Sequence, residues 1–255
     1  MRWLDTTDGV RLATRRWSAP TPTGTAVVLV HGFTASKDHP DLVHLAESLA
    51  ATGFDVISYD ARGHGSSEGL CTLGALEHID VAAAAALARG DADRVVLVGA
   101  SMGGIAVLGY ASEADDVAGV VTVSAPAHWK LPRNARGALA VGLTQTAPGR
   151  WLVRRKMYVK LARRRTLPDP PVELMRRVKA PVAVVHGLQD RFIAPEAALD
   201  LYANAGPVRR LFLVDEMGHA FDPAGTEAVC RAVDWVVHAS AQTVVSGPAA
   251  TPVLA

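Results

Sequence analysis

Short apolar runs alternate with longer amphipathic stretches along most of this chain. The runs are rich in β-branched residues and lack a polar alternation, which is typical of strands buried on both faces of a parallel sheet. A stretch with helical periodicity follows most of these runs, so the pattern predicts an α/β fold with a doubly wound, mainly parallel sheet. Strands are predicted near residues 26–31, 54–60, 94–99, 117–123, 181–186 and 209–215, and helices near 39–51, 74–89, 102–113, 195–204 and 225–239.

One long interval breaks this alternation. It separates the strand ending near Ser124 from the strand starting at Pro181, and it is far longer than one crossover helix needs. A structureless loop of that size is rare in a compact domain, so we expect a helical cap over residues 128–172, inserted after the sixth core strand. Helices are predicted within this cap near Asn134–Leu143 and Arg150–Arg165.

The remaining segments complete the predicted domain organisation. A hairpin turning at Asp8-Gly9, with Val10 to Trp17 as its return strand, opens the chain. Residues 1–127 and 173–239 are expected to form one core, and the aperiodic tail over 240–255 is expected to be flexible.

Composition agrees with a single globular domain. Hydrophobic residues make up 49% and charged residues 20% of the 255 residues, which excludes general disorder. We expect no secretory leader and no transmembrane segment, because the first residues lack a basic and apolar leader pattern and no apolar run approaches about 18 residues. Cys71 and Cys230 lie far apart and the histidines show no ligand spacing, so a cytoplasmic setting without a metal site is expected.

Charge is distributed unevenly along the chain. The segment Lys130–Arg165 holds eleven Lys or Arg and no Asp or Glu, which leaves 15 basic against 25 acidic residues elsewhere. A basic cap on an acidic body favours anionic partners: a phospholipid surface, a lysophospholipid head group or the phosphates of an acyl-CoA. The competing interpretation is an ordinary solvated helix face. Peripheral membrane contact therefore stays open, whereas nucleic acid is not expected because no recognition motif accompanies the charge.

The candidate chemistry begins with Gly99-Ala100-Ser101-Met102-Gly103. A buried strand precedes this stretch and a helix follows it, so Ser101 falls in a sharp turn flanked by glycines. This is the pattern of a nucleophile elbow, in which a side chain at either glycine would collide with the neighbouring backbone. Ser101 is therefore the candidate nucleophile.

Two further residues follow predicted strands at the same sheet edge. Asp190 comes in a turn after the strand near 181–186, and His219 follows a glycine after the strand near 209–215. Open α/β sheets hold their sites at the carboxyl ends of the strands, so these side chains should converge on Ser101. The chain order is then nucleophile, acid and base, which predicts a Ser101–His219–Asp190 triad. The backbone N–H of Met102, next to the nucleophile, is a candidate oxyanion donor.

From about Arg2 to Ala239 the chain resembles the α/β-hydrolase superfamily. Besides the elbow, Asp60-Ala61-Arg62-Gly63-His64-Gly65-Ser66-Ser67 is similar to a signature of bacterial carboxylesterases, lysophospholipases and monoacylglycerol lipases. The resemblance implies that this second stretch is structural, with Asp60, Arg62 and His64 as scaffolding.

The resemblance also suggests where substrate binds. His31-Gly32-Phe33 resembles the family's oxyanion loop, which implies the Phe33 N–H as a second donor, Gly32 as room for the substrate and His31 as a brace. A cap over the serine would shape the acyl pocket, and Trp129 and Trp151 are its candidate substrate-binding residues.

These observations predict a serine esterase that needs no cofactor and acts on small-molecule esters with small to medium acyl groups. A serine at the elbow excludes the aspartate-nucleophile members of the superfamily. The alternative enzyme is an acyl thioesterase or a cofactor-free perhydrolase with the same triad. The alternative that is not an enzyme is a non-catalytic ligand-binding module, although the sequence has a Ser, an Asp and a His at the three triad positions. Oligomeric state is not predicted.

Overall fold

A computed structural model describes residues 2–129, 144–163 and 167–245. Within these ranges eight strands form one sheet in the order β1-β2-β4-β3-β5-β6-β7-β8. β1 and β2 run antiparallel to their neighbours and the other strands pair in parallel, as the doubly wound prediction requires. The strands are β1 (Arg2–Asp5), β2 (Arg11–Trp17), β3 (Thr25–Val30), β4 (Asp55–Tyr59), β5 (Arg94–Ala100), β6 (Gly119–Val123), β7 (Val182–Gly187) and β8 (Arg209–Val214).

The described residues also form seven α-helices and one short 3₁₀ turn. Most helices connect consecutive parallel strands, and their bounds lie close to those predicted from periodicity. The helices are α1 (Pro40–Ala51), α2 (Glu77–Arg89), α3 (Met102–Ala111), α4 (Ala147–Met157), α5 (Pro171–Arg177), α6 (Glu196–Asn204) and α7 (Thr226–Val245), with the 3₁₀ turn at Pro223–Gly225.

The sheet has a hydrophobic cluster on each face. Alternate residues of β3 divide between them, because successive side chains of a strand point to opposite faces. Val28 and Val30 join the cluster under α2, α3, α5 and α6, whereas Val27 and Leu29 join the cluster under α1 and α7. Burial on both faces explains why these strands read as continuous apolar runs in the sequence.

The hairpin and the last helix test two boundaries of the prediction. β1 pairs with β2 across a turn in which Gly9 has a positive φ, as the Asp8-Gly9 signal predicts. α7 continues to Val245, so the tail predicted from residue 240 begins too early; residues 246–255 lie outside the described part. No helix within the described ranges is long and apolar enough to cross a membrane.

The predicted helix over Arg150–Arg165 is wrong in its second half. α4 ends at Met157, where Tyr158 adopts a left-handed conformation. The chain then continues extended, and its Lys160 N–H donates to the Gly63 carbonyl at 2.7 Å while the Cys71 N–H donates to the Lys160 carbonyl at 2.8 Å. This strand-like pairing with a distant segment competes with the helix and explains its early end. The helix predicted at Asn134–Leu143 lies outside the described residues, and the cap boundaries remain a prediction.

Candidate active site

Ser101 occupies a sharp turn between β5 and α3. Its φ of 52° and ψ of −112° are rare for a residue with a side chain and cost of order 1–3 kcal/mol. The flanking glycines make the turn possible: a Cβ on Gly99 would overlap the Gly103 carbonyl, and a Cβ on Gly103 would overlap the Val30 carbonyl. The turn is fixed to the sheet by a 2.9 Å hydrogen bond from the Ser101 N–H to the Val123 carbonyl.

Asp190 and His219 are joined by a hydrogen bond. The Nδ1 atom of His219 lies 2.7 Å from Oδ2 of Asp190, and the carboxylate has no exposed surface whereas the imidazole is partly exposed. Because a carboxylate only accepts, Nδ1 carries the proton and Nε2 is left as the basic atom. The other oxygen of Asp190 accepts from the N–H groups of Phe192, at 2.8 Å, and Ile193, at 3.0 Å.

These contacts decide the charge of Asp190. Burial by itself would raise the pKa of the carboxyl group, since it removes water from the charged form. The hydrogen bonds from His219 and from the Ile193 and Phe192 N–H groups outweigh that effect, so the pKa of Asp190 lies below its ordinary value. The carboxylate is therefore ionised at neutral pH and fixes the tautomer of His219.

Ser101 and His219 line one cleft of about 250 Å³, together with Gly32 and Phe33. Asp190 lies behind His219, out of the cleft. Of the eight predicted site residues, the structure thus places four at this cleft, and a fifth, Asp190, within hydrogen-bonding distance of His219. Within the described ranges, no group of three His, Cys, Asp or Glu side chains is arranged to hold a metal ion.

The candidate oxyanion donors lie on two neighbouring elements. Met102 is the first residue of α3, so its N–H belongs to the first turn, where backbone donors have no acceptor within the helix. Gly32, in the loop after β3, lies so close to Ser101 that an added Cβ would be 3.3 Å from the serine Cβ. The next residue, Phe33, lines the same cleft as Ser101, and Thr34 after it has a positive φ of 68°.

His31 and His64 pack against this loop and are buried, and His31 also lines the cleft. His31 Nδ1 lies 2.8 Å from the Gly32 carbonyl, and its Nε2 accepts from the Ala61 N–H at 2.9 Å. Both ring nitrogens of His31 are engaged, and burial lowers its pKa to about 3. The His64 ring stands edge-on to His31 and to Phe33, with centroid distances of 5.0 and 6.0 Å. These contacts agree with the bracing roles predicted for both histidines.

Asp60 and Arg62 are also held within the fold. Asp60 accepts from the Lys37 backbone N–H at 2.9 Å and from its ammonium group at 3.3 Å. Arg62 pairs with Asp80 at 2.8 Å and with Asp8 at 2.7 Å. Neither residue is among those that line the Ser101 cleft, as expected for scaffolding.

The two tryptophans predicted to bind substrate lie elsewhere. The Nε1–H of Trp129 donates to the Pro168 carbonyl at 2.8 Å, and Trp151 is an exposed residue of α4. Neither is among the residues that line the Ser101 cleft in the described part of the chain.

Several lining residues escaped the sequence analysis. They lie in the loops after β3, β7 and β8 and in the first turn of α1, and nothing in their spacing distinguishes them from ordinary loop residues. Phe192 could have been suspected from the sequence, because it follows the candidate acid Asp190 by two positions. Its ring centroid lies 5.1 Å from that of His219. The missed residues are Ala35, His39, Asp41, Leu42, Phe192, Ala220 and Phe221.

Comparison with known proteins supports the fold. Residues 25–149 match the model of the family described as the alpha/beta hydrolase fold. The chain has the α/β-hydrolase fold. The matched residues run from β3 to the start of α4 and so include the Ser101 turn and the loop after β3, but neither Asp190 nor His219.

The proteins similar to this chain include named esterases and a lipase. An esterase candidate of Bacillus subtilis (strain 168), YitV, is 27% identical over 231 residues, which cover 82% of this chain and 87% of YitV. The Pyrococcus furiosus esterase Pf2001 superposes with a TM-score of 0.68 at 20% identity, covering 94% of this chain and 89% of that one. A Paleococcus ferrophilus monoacylglycerol lipase gives a TM-score of 0.64 at 24% identity, covering 89% and 98%. At these identities the two solved structures establish the fold.

Proposed function

We propose that this α/β hydrolase is a serine esterase that cleaves carboxylic esters through an acyl-enzyme. The observation that carries the proposal is the 2.7 Å pair between His219 and a buried, ionised Asp190, with His219 lining the same cleft as Ser101 in its strained turn. A strained backbone that the surrounding fold maintains is common at catalytic nucleophiles. The relation to esterases such as YitV and Pf2001 supports the same reaction class.

The proposed mechanism has two steps of acyl transfer. His219 accepts the Ser101 proton at Nε2 as Oγ attacks the ester carbonyl carbon, and Asp190 stabilises the resulting imidazolium. His219 then gives that proton to the leaving alcohol, which departs and leaves the acyl group on Ser101. In the second step His219 takes a proton from water, the hydroxide attacks the acyl carbon, and the proton returns to Ser101 as the acid is released.

The negative charge that develops on the carbonyl oxygen needs preorganised donors. We assign this role to the N–H groups of Met102 and Phe33, which approach the nucleophile from α3 and from the loop after β3. Removal of one such donor typically raises the barrier by about 3–4 kcal/mol. Both proposed donors are backbone groups, so their position depends on the glycines at 32 and 103 rather than on their own side chains.

The shape of the cleft supports a small to medium acyl group. Its volume of about 250 Å³ lies just below the roughly 300–1,000 Å³ that is common for sites of drug-sized ligands. Leu42, Phe33 and Phe221 give it apolar walls, and Phe192 stands exposed beside His219 at its edge. We propose that these side chains contact the acyl or alcohol part of a partly apolar ester.

The cytoplasmic setting stays part of the proposal. It rests on the sequence, in which the chain's two cysteines, Cys71 and Cys230, lie far apart and offer no disulfide framework. So few cysteines are usual in a chain whose environment keeps thiols reduced.

The test is hydrolysis of p-nitrophenyl esters from two to sixteen acyl carbons, beside the matching acyl-CoA thioesters. We expect turnover of the shorter esters by the wild type and a loss of at least roughly 10³-fold in S101A, since the nucleophile is gone. Ser112→Ala, a serine at the far end of α3, is the matched control and should leave turnover unchanged. Equal turnover in S101A, or no labelling of folded wild type at Ser101 by a fluorophosphonate, would contradict the proposal. A preference for thioesters would replace the esterase by a thioesterase with the same triad.

A further inference from the structure

Helix α4 exposes an unusual set of side chains. Trp151, Arg154, Arg155 and Tyr158 follow one another at helical spacing, so they lie on one face, and together they line a shallow depression of about 280 Å³. The side chains of Trp151 and Tyr158 are among the most exposed large hydrophobic groups of the described chain, at 65% and 76%. We call these four residues the basic aromatic face.

The arginines of this face have no acidic partners in the described structure. The described segment around them, residues 144–163, contains no Asp or Glu. Other exposed arginines of the chain behave differently: Arg176 pairs with Glu173 at 2.7 Å and Arg177 with Asp169 at 2.8 Å. The positive charge of the face is therefore not neutralised by described neighbours and remains available to an anionic partner.

The face is held by the fold. Val153, on the opposite side of α4, is buried in the main core, and so is Val159 just after the helix. The left-handed Tyr158 ends the helix, and the next residues are fixed by backbone hydrogen bonds between Lys160 and the segment of Gly63 and Cys71. The exposed aromatics are thus presented outward from an anchored element.

We infer that the basic aromatic face binds the surface of a membrane that contains anionic phospholipids. Trp and Tyr favour the interface between headgroups and acyl chains, where the ring is apolar and its N–H or O–H stays hydrated. Arginine stems lie along such a surface while the guanidinium groups reach the lipid phosphates. Leu152 and Met157, which are also exposed on α4, extend the apolar area.

Charge complementarity also sets the orientation of the bound protein. The eleven basic residues between positions 130 and 165 contrast with 15 basic and 25 acidic residues in the rest of the chain. An anionic surface would attract the first region and repel the second, so the protein binds with α4 facing the lipid. This contact is separate from the chemistry proposed for Ser101 and does not depend on it.

The test is co-sedimentation of the full chain with vesicles of neutral phosphatidylcholine, and with vesicles that also contain phosphatidylglycerol. S101A is used throughout, so that lipid hydrolysis and membrane binding are measured separately. We expect binding to the anionic vesicles only, and a weakening of about 25-fold or more in R154E/R155E, since each cationic side chain near such a surface contributes about fivefold. The matched control is R210E/R231E, which changes the net charge equally at exposed sites outside α4.

The aromatic contribution has its own measurement. Trp151 should move its fluorescence emission to shorter wavelength on binding, which the difference between the S101A protein and S101A/W151F isolates from the other four tryptophans. W151A should weaken binding, whereas W3A, an exposed tryptophan of β1, should not. The inference would be overturned by equal binding to neutral vesicles, by equal losses in both reversal variants, by unchanged Trp151 emission, or by tighter binding of single-stranded nucleic acid than of anionic vesicles.

Discussion

At the scale of single residues, the two carboxylate oxygens of Asp190 have different hydrogen-bond partners. One accepts two backbone N–H groups of its own loop, and the other faces Nδ1 of His219. In Asp190→Asn the amide oxygen can keep the backbone contacts, which turns the NH₂ group toward His219. Nδ1 must then accept, Nε2 becomes protonated, and the base can no longer take the serine proton. We expect a loss of turnover of roughly 10²–10⁴-fold with little change in Tm.

The control for this prediction is Asp215, an exposed carboxylate just after β8 and close to His219 in sequence. Asp215→Asn should leave p-nitrophenyl ester turnover unchanged. If instead Asp190→Asn is nearly as active as the wild type and Asp215→Asn is not, the acid has been assigned to the wrong strand end.

At the scale of elements, the elbow depends on the contact between the start of α3 and the end of β3. Gly103 lies against the Val30 and His31 carbonyls, where an added Cβ has no room and backbone atoms cannot move aside. We expect Gly103→Ala to lower the free energy of unfolding by about 1–3 kcal/mol or more, which for a chain of this size lowers Tm by several degrees. Gly206→Ala is the matched control, because its added Cβ would meet only the Val178 carbonyl at an ordinary 3.6 Å. Equal melting temperatures for the two variants would contradict the close approach.

At the scale of the whole molecule, features that depend on local sequence could be predicted, whereas features that depend on contacts between distant segments could not. The strands and the positions of Ser101, Asp190 and His219 at strand ends follow from short-range patterns, because burial on both faces and glycine turns leave marks in a few residues. The end of α4 depends on pairing of Lys160 with Gly63 and Cys71, and such a long-range contact leaves no local mark. Phe192 and Phe221 reach the cleft only because loops from β7 and β8 converge, so their part in it could not be predicted.

The dense packing against the loop after β3 links the candidate site to the acid stability of the whole fold. Burial lowers the pKa of His31 to about 3 from an ordinary 6.5, so the folded protein holds this imidazole neutral while the unfolded chain protonates it. The unfolded state therefore binds more protons between these values, and stability is full above pH 6.5 and falls as the pH falls toward 3. Relative to alkaline pH, the loss from His31 reaches about 2 kcal/mol at pH 5.

Denaturant unfolding of the wild type and His31→Gln at several pH values between 8 and 4.5 measures this effect. The variant loses hydrogen bonds and starts less stable at pH 8, but its stability should fall less steeply with acid, since glutamine does not titrate. Burial also lowers the pKa of His64, whose ring lies 5.0 Å from that of His31, so H31Q/H64Q should have a flatter profile than either single variant. If stability falls equally steeply with acid in the wild type and both His31 variants, other groups control acid unfolding. The fold would then tolerate a charged imidazole at His31, against the loop after β3.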